Sequence, residues 1–210
     1  MYDTDQEQIE AIKAWWSANA NWVIASVLVF IFAFAGWNWY QVDQLNHKEE
    51  ASRLYDRLLV NVSATEADLD ERASMISALK TDYADLGYAV MAALFEAKDS
   101  VEAKEYSAAL SSLEFAYDHA DESLHGVILY RKALVQFGMG ELDAALATLD
   151  AITGEGHQAL TFELKGDIYL AQGNESAARD AYQSAVDLSS DQGINNPYLA
   201  VKLNDLAVAE

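Results

Sequence analysis

The stretch "ALVQFGMGELDAALATLDAI", Ala133 to Ile152, reads as two short amphipathic helices joined by a glycine turn. Gly140 falls between the halves, where a left-handed backbone costs glycine little. Ala133 stands in the first half and Ala145 in the second. Small residues at facing positions let an antiparallel pair of helices approach closely. Leu149 and Ile152 follow Ala145 at helical spacing and give the pair an apolar face to bury. A single hairpin cannot bury that face alone, so the stretch predicts neighbours built the same way.

Two neighbours align with it: "AKDSVEAKEYSAALSSLEFA", Ala97 to Ala116, and "GDIYLAQGNESAARDAYQSA", Gly166 to Ala185. Each segment begins with a small residue, Ala97, Ala133 or Gly166. Twelve positions on stands Ala109, Ala145 or Ala178. Four further comes Leu113, Leu149 or Tyr182, and three beyond that Ala116, Ile152 or Ala185. These twelve are the expected repeat-packing residues. The matched alanines are 36 and 33 positions apart. A two-helix unit of about 34 residues is the tetratricopeptide (TPR) period. The match is degenerate. Ser100 and Gln136 stand where the third segment has Tyr169, and no repeat ends in proline. Lys104 replaces the turn glycine of the first segment, which predicts a turn built differently there. A plain array of helical hairpins is the alternative reading. The closing "NPYLAVKLNDLAVAE" opens on a helix-initiating Asn-Pro and presents Leu199, Leu203 and Leu206 on one face. It reads as the helix that caps an open stack.

Composition agrees with an all-α chain. Ala and Leu abound, and Pro197 is the one proline of the 210 residues. Thirteen Lys plus Arg face 34 Asp plus Glu, a formal charge of -21. Such a surface repels phosphate backbones and argues against nucleic acid as a partner. With no cysteine, disulfides and thiolate metal sites are excluded.

Upstream of the repeats, residues 14–42 contain no charged residue and no histidine. Within them Trp22 to Tyr40 is a 19-residue apolar run. As a helix it reaches about 28 Å, close to the hydrocarbon thickness of a bilayer. Trp15, Trp16 and Trp22 mark one end, and Trp37, Trp39 and Tyr40 the other. These are the two aromatic belts of a spanning segment. Ala33-Phe34-Ala35 resembles a signal-cleavage site. Against cleavage, the preceding tail is acidic, with Lys13 as its one basic side chain, and cutting there would expose the second aromatic group. The segment is therefore expected to be a permanent anchor. The tail itself, with Ile9, Ile12 and Trp16 at helical spacing, reads equally as an interfacial helix or as an extension of the span. The expected division is 1–20 for the N-terminal segment, 21–40 for the transmembrane helix and 41–210 for the repeat domain. Lys48, Arg53 and Arg57 beyond the span outnumber Lys13 before it, a count that favours a cytoplasmic repeat domain. Within the span Ser26, Val29, Ala33 and Gly36 line one face. Small residues permit helix association in lipid, so this face is the expected transmembrane docking surface, with background composition as the alternative.

The sequence carries no catalytic constellation. His47, His119, His125 and His157 are scattered, "GMGE" and "GEGH" lack the Lys-Ser/Thr of a phosphate loop, and no G-x-S-x-G occurs. No catalytic, cofactor-binding or metal residues are expected, and the chain is not read as an enzyme. Repeat arrays of this kind bind peptides and proteins.

An acidic start with "IEAIKAWW", a span ending "GWNWY", then "AALATLDAITGEGHQALTFELKGDIYL", "GNESAARDAYQSAV" and "KLNDL" together resemble the YfgM-type ancillary subunit of the bacterial Sec translocon. The resemblance covers essentially the whole chain. It implies an inner-membrane protein with a cytoplasmic N-terminus and a periplasmic TPR domain, against the Lys/Arg count, which rests on few charges. It also implies association with the SecYEG channel and with a PpiD-type periplasmic chaperone, to the benefit of exported client proteins. A related TPR domain occurs in a periplasmic coordinator of cell division, so an envelope scaffold is the alternative function. The expected architecture is all-α: a single N-terminal transmembrane helix followed by a degenerate TPR-like helical solenoid.

Overall fold

The computed structural model describes residues 3–64, 68–191 and 196–207. They form nine α-helices and one short 3-10 turn, with no strand among them. The chain divides into two units, residues 1–50 and 51–210.

The first unit is the leading part of α1, Asp3–Ser63, an unbroken helix. Its apolar run is long enough to cross a membrane, and its side chains are not covered by the protein. Trp22 is 78% exposed and Phe32 74%. Three polar side chains there turn back onto their own helix. Ser17 Oγ donates to the Ala14 carbonyl, Asn19 Nδ2 to Trp15 at 2.8 Å, and Ser26 Oγ to Trp22 at 2.7 Å. Self-satisfied polar groups are what an apolar surrounding requires.

The second unit starts with the end of α1. Ala51 and Leu58 are fully buried against Met75, Ile76 and Leu79 of α2, Leu69–Asp82, and Ala92 of α3, Gly87–Glu102. After α1, residues 65–67 lie outside the described residues. Beyond them Asp68 caps α2, its carboxylate accepting from the Glu71 N–H at 2.9 Å.

Three hairpins follow. The first pairs α3 with α4, Tyr106–His119. The second pairs α5, Glu122–Gly138, with α6, Leu142–Asp150. The third pairs α7, Gln158–Ala171, with α8, Glu175–Asp191. The final helix α9, Pro197–Ala207, packs Leu199 and Leu206 against Tyr182 and Ala185 of α8. The core is a series of local clusters, each shared by successive helices, as expected of a stack in which every unit touches its neighbours.

Contrary to the expectation from Lys104, the first hairpin turns in the same way as the other two. In each, the first helix closes with two tight bonds: Lys104 N–H to Val101 O and Glu105 N–H to Ser100 O; Gly140 to Phe137 and Glu141 to Gln136; Gly173 to Leu170 and Asn174 to Tyr169. This is the Schellman closure, which places the first donor of each pair in the left-handed region. Gly140 and Gly173 take φ of +78° and +76°, and Lys104 takes +63°. The hydrogen-bonded geometry is common to all three turns, so the lysine adopts the conformation the turn demands. A side chain costs roughly 1 kcal/mol there relative to glycine. Lys104→Gly is therefore expected to stabilise the repeat domain by about 1 kcal/mol, raising its thermal midpoint by roughly 2–4 °C in a circular dichroism melt. An unchanged or lowered midpoint would count against this turn.

The second hairpin departs from the others at its end. Its α6 stops at Asp150, and Ile152 lies beyond it, partly buried, whereas Ala116 and Ala185 remain inside α4 and α8. β-branched Ile152 and Thr153 resist continuation of the helix, and Gly154, at φ +110°, leaves it altogether.

Candidate functional site

The expected packing residues fall into the seams of the stack. Ala97, Ala109, Leu113 and Ala116 are buried together between α3, α4 and α5. Ala133, Ala145 and Leu149 are buried between α5, α6 and α7, with Ile152 at the edge. Ala178, Tyr182 and Ala185 are buried under α9. Gly166 lies against Tyr182 so closely that a Cβ placed on it would stand 2.4 Å from the ring. The aromatic position that the second repeat lacks is filled by polar chemistry instead, Thr148 Oγ1 donating to the buried Gln136 at 2.7 Å. The span residues Ser26, Val29, Ala33 and Gly36 all stand exposed on α1.

A groove of about 670 Å³ opens on the repeat domain between α3 and α5, with Tyr55 of α1 contributing to its lining. Its floor is apolar and buried, with Leu113 1%, Val135 8% and Leu94 9% exposed. Val101 and Leu134 stand at its rim, together with Lys98, Glu102 and Arg131. Lys98 pairs with Glu102 one helical turn on, at 3.4 Å. Arg131 makes no ion pair among the described residues. Sequence periodicity identified neither Tyr55 nor Arg131 as a groove residue. Each lies on a different helix from the groove's α3 wall and meets it only through folding.

A second polar centre fastens the cap. Lys202 of α9 lies 2.9 Å from Glu163 and 2.7 Å from Asp167, both on α7. Asn196 donates to Glu163 at 3.1 Å, and the Tyr182 hydroxyl donates to Asp167 at 2.7 Å. Burial, the bond to Asp167 and the nearby carboxylates push the Tyr182 hydroxyl well above the ordinary tyrosine value. Burial works against the Lys202 charge, but the bonds to Asp167 and Glu163 outweigh it and hold its pKa up. Both groups therefore favour their protonated forms in the fold. Their stabilising contribution is complete below about pH 10 and is lost as pH rises through their folded-state values. Among the described residues no group of three or more His, Asp and Glu could hold a metal ion.

A stack of helical hairpins carrying an apolar groove defines a repeat protein of the TPR-like class. Residues 13–208 match the tetratricopeptide repeat-like domain family. The chain is 31% identical over 207 residues to a protein of Haemophilus influenzae named "Ancillary SecYEG translocon subunit", covering 98% of this chain and 99% of that one. It is 29% identical over 209 residues to the protein of that name in Escherichia coli K12, covering 99% of each. A protein of the same name in Aggregatibacter actinomycetemcomitans is 30% identical over 203 residues, covering 96% of this chain and 97% of that one. The chain belongs to this family, the YfgM-type ancillary subunits with their TPR-like domain.

Proposed function

We propose that the chain is an ancillary subunit of a bacterial Sec translocon, anchored once in the inner membrane. Residues 1–20 form its cytoplasmic segment, 21–40 span the bilayer, and 41–210 hold the repeat domain at the periplasmic exit. There, with a PpiD-type chaperone, it assists exported clients as a binding protein and not as an enzyme. The observation that carries this reading is the near-complete coverage of relatives named as translocon subunits. The apolar α1 supports it, because it continues without a break into the repeat domain and so tethers that domain to the membrane. Tethering holds a weak binding surface at high effective concentration beside the channel.

Crosslinking in native membranes, followed by identification of the products, is expected to recover channel subunits and the chaperone. Ala33→Leu with Gly36→Leu fills the small-residue face of the span and should reduce channel recovery while the domain keeps its circular dichroism spectrum. Protease added to spheroplasts should digest the domain with the inner membrane intact. Protection until lysis would overturn the orientation, and a crosslink pattern without channel subunits would overturn the function.

A further inference from the structure

We infer that the groove between α3 and α5 takes an apolar segment of a partner polypeptide carrying a side-chain carboxylate that pairs with Arg131. The inference rests on the reading of the chain as a protein-binding subunit and names the chemistry of what it binds. The groove lining extends along α3 from Met91 to Val101. Ten helical steps are about 15 Å, room for four or five extended residues. The buried floor at Leu94, Leu113 and Val135 offers aliphatic contact, and Val101 and Leu134, 37% and 42% exposed, continue it to the rim.

Charge selects among apolar segments. The chain as a whole has 34 acidic and 13 basic residues, so its general surface repels carboxylates. The groove reverses that balance, with Lys98 and Arg131 against Glu102. Glu102 is engaged by Lys98 at 3.4 Å, which leaves the Arg131 guanidinium as the cation without an ion-pair partner among the described residues. A segment bearing lysine or arginine would place a second cation beside it. An Asp or Glu would find a fork of donors suited to a carboxylate.

The test uses the full chain in nanodiscs of zwitterionic lipid, panned against a random library of nonapeptides with acetylated and amidated ends, so that only side chains carry charge. Selected peptides should combine Leu, Phe or Met with one Asp or Glu. Replacing that acid by its amide should weaken binding by roughly threefold to fivefold in fluorescence anisotropy, the range of an ion pair open to solvent. Arg131→Gln should erase the difference between the acid and the amide. Leu134→Asp should abolish binding of both without lowering the thermal midpoint. Selection of basic peptides, an acid preference that survives Arg131→Gln, or binding that survives Leu134→Asp would overturn the proposal. So would direct binding of dodecanoate to the groove with no peptide selected, which would mark an acyl-chain site. The two readings fail separately. Intact crosslinking to the channel with no peptide selected sinks only the groove assignment, whereas wild-type protein that never crosslinks to the channel sinks the subunit reading.

Discussion

Gly166→Ala should lower the thermal midpoint of the repeat domain by roughly 5–10 °C, an effect of about 2–3 kcal/mol. The new Cβ would stand 2.4 and 2.5 Å from Cε1 and Cδ1 of Tyr182, well inside van der Waals contact. The ring has little room to retreat. It is 1% exposed, its hydroxyl is held by Asp167 at 2.7 Å, and the Lys202 ammonium lies 5.6 Å from its centre. Alanine is the better helix former by about 1 kcal/mol, so the measured loss is the clash less that gain. The other repeats point to the remedy. Where the third has Gly166 and Tyr182, the first has Ala97 and Leu113 and the second Ala133 and Leu149, each pair within one buried cluster. Tyr182→Leu alone should also destabilise, by opening a cavity and releasing Asp167. Gly166→Ala with Tyr182→Leu should recover part of both losses, with a coupling energy of about 1–3 kcal/mol. Strict additivity in the double-mutant cycle would mean that the two residues do not share this seam. All five tryptophans lie between residues 15 and 39, so the melt must be followed by circular dichroism, not by tryptophan emission.

Arg72→Ala should destabilise the domain by about 3 kcal/mol, or roughly 6–12 °C. Arg72 of α2 is 9% exposed and joins three helices. Its Nε donates to Asn61 Oδ1 of α1 at 3.1 Å, and its Nη1 meets Asp99 of α3 at 2.8 Å. Asn61 in turn donates to the Asp68 carbonyl at 3.0 Å, which fixes the approach to α2. Removing the guanidinium strands the buried Asn61 oxygen and the Asp99 carboxylate. The latter is 29% exposed, so water limits the penalty to the lower part of the range for a broken buried pair. Arg72→Met retains most of the packing and isolates the polar loss. Hydrogen exchange should show α2 as the helix whose protection falls most, because the anchor of its first turn is gone. A uniform loss across α3 to α8 with α2 unaffected would contradict this local role.

Much of the architecture was legible without coordinates, and the reason is locality. An uncharged run of bilayer length with tryptophan at both ends is set by residues adjacent in the chain. The repeat was legible because helical packing constrains residues three, four and twelve apart, so Ala109, Ala145 and Ala178 recur in register. Asn196-Pro197 marked the start of α9 for the same kind of reason, since cap and turn preferences act within a few residues. What only the tertiary structure decided lies at longer separation. Lys104 looked like a break in the pattern, yet the hydrogen bonds closing the turn hold it at φ +63°. Gly166 and Tyr182 stood in the repeat register as a small and a larger apolar residue, but only the close approach of the two helices makes glycine a steric requirement of the neighbouring ring. The Asn61–Arg72–Asp99 junction spans 11 and 27 residues, and the Lys202 pairs with Asp167 and Glu163 span 35 and 39. No local periodicity encodes such partners. Arg131 and Tyr55 become neighbours of one groove only when α1, α3 and α5 are stacked, because the chain's own repeat sets where each helix lies but not which side chains two helices present to the space between them.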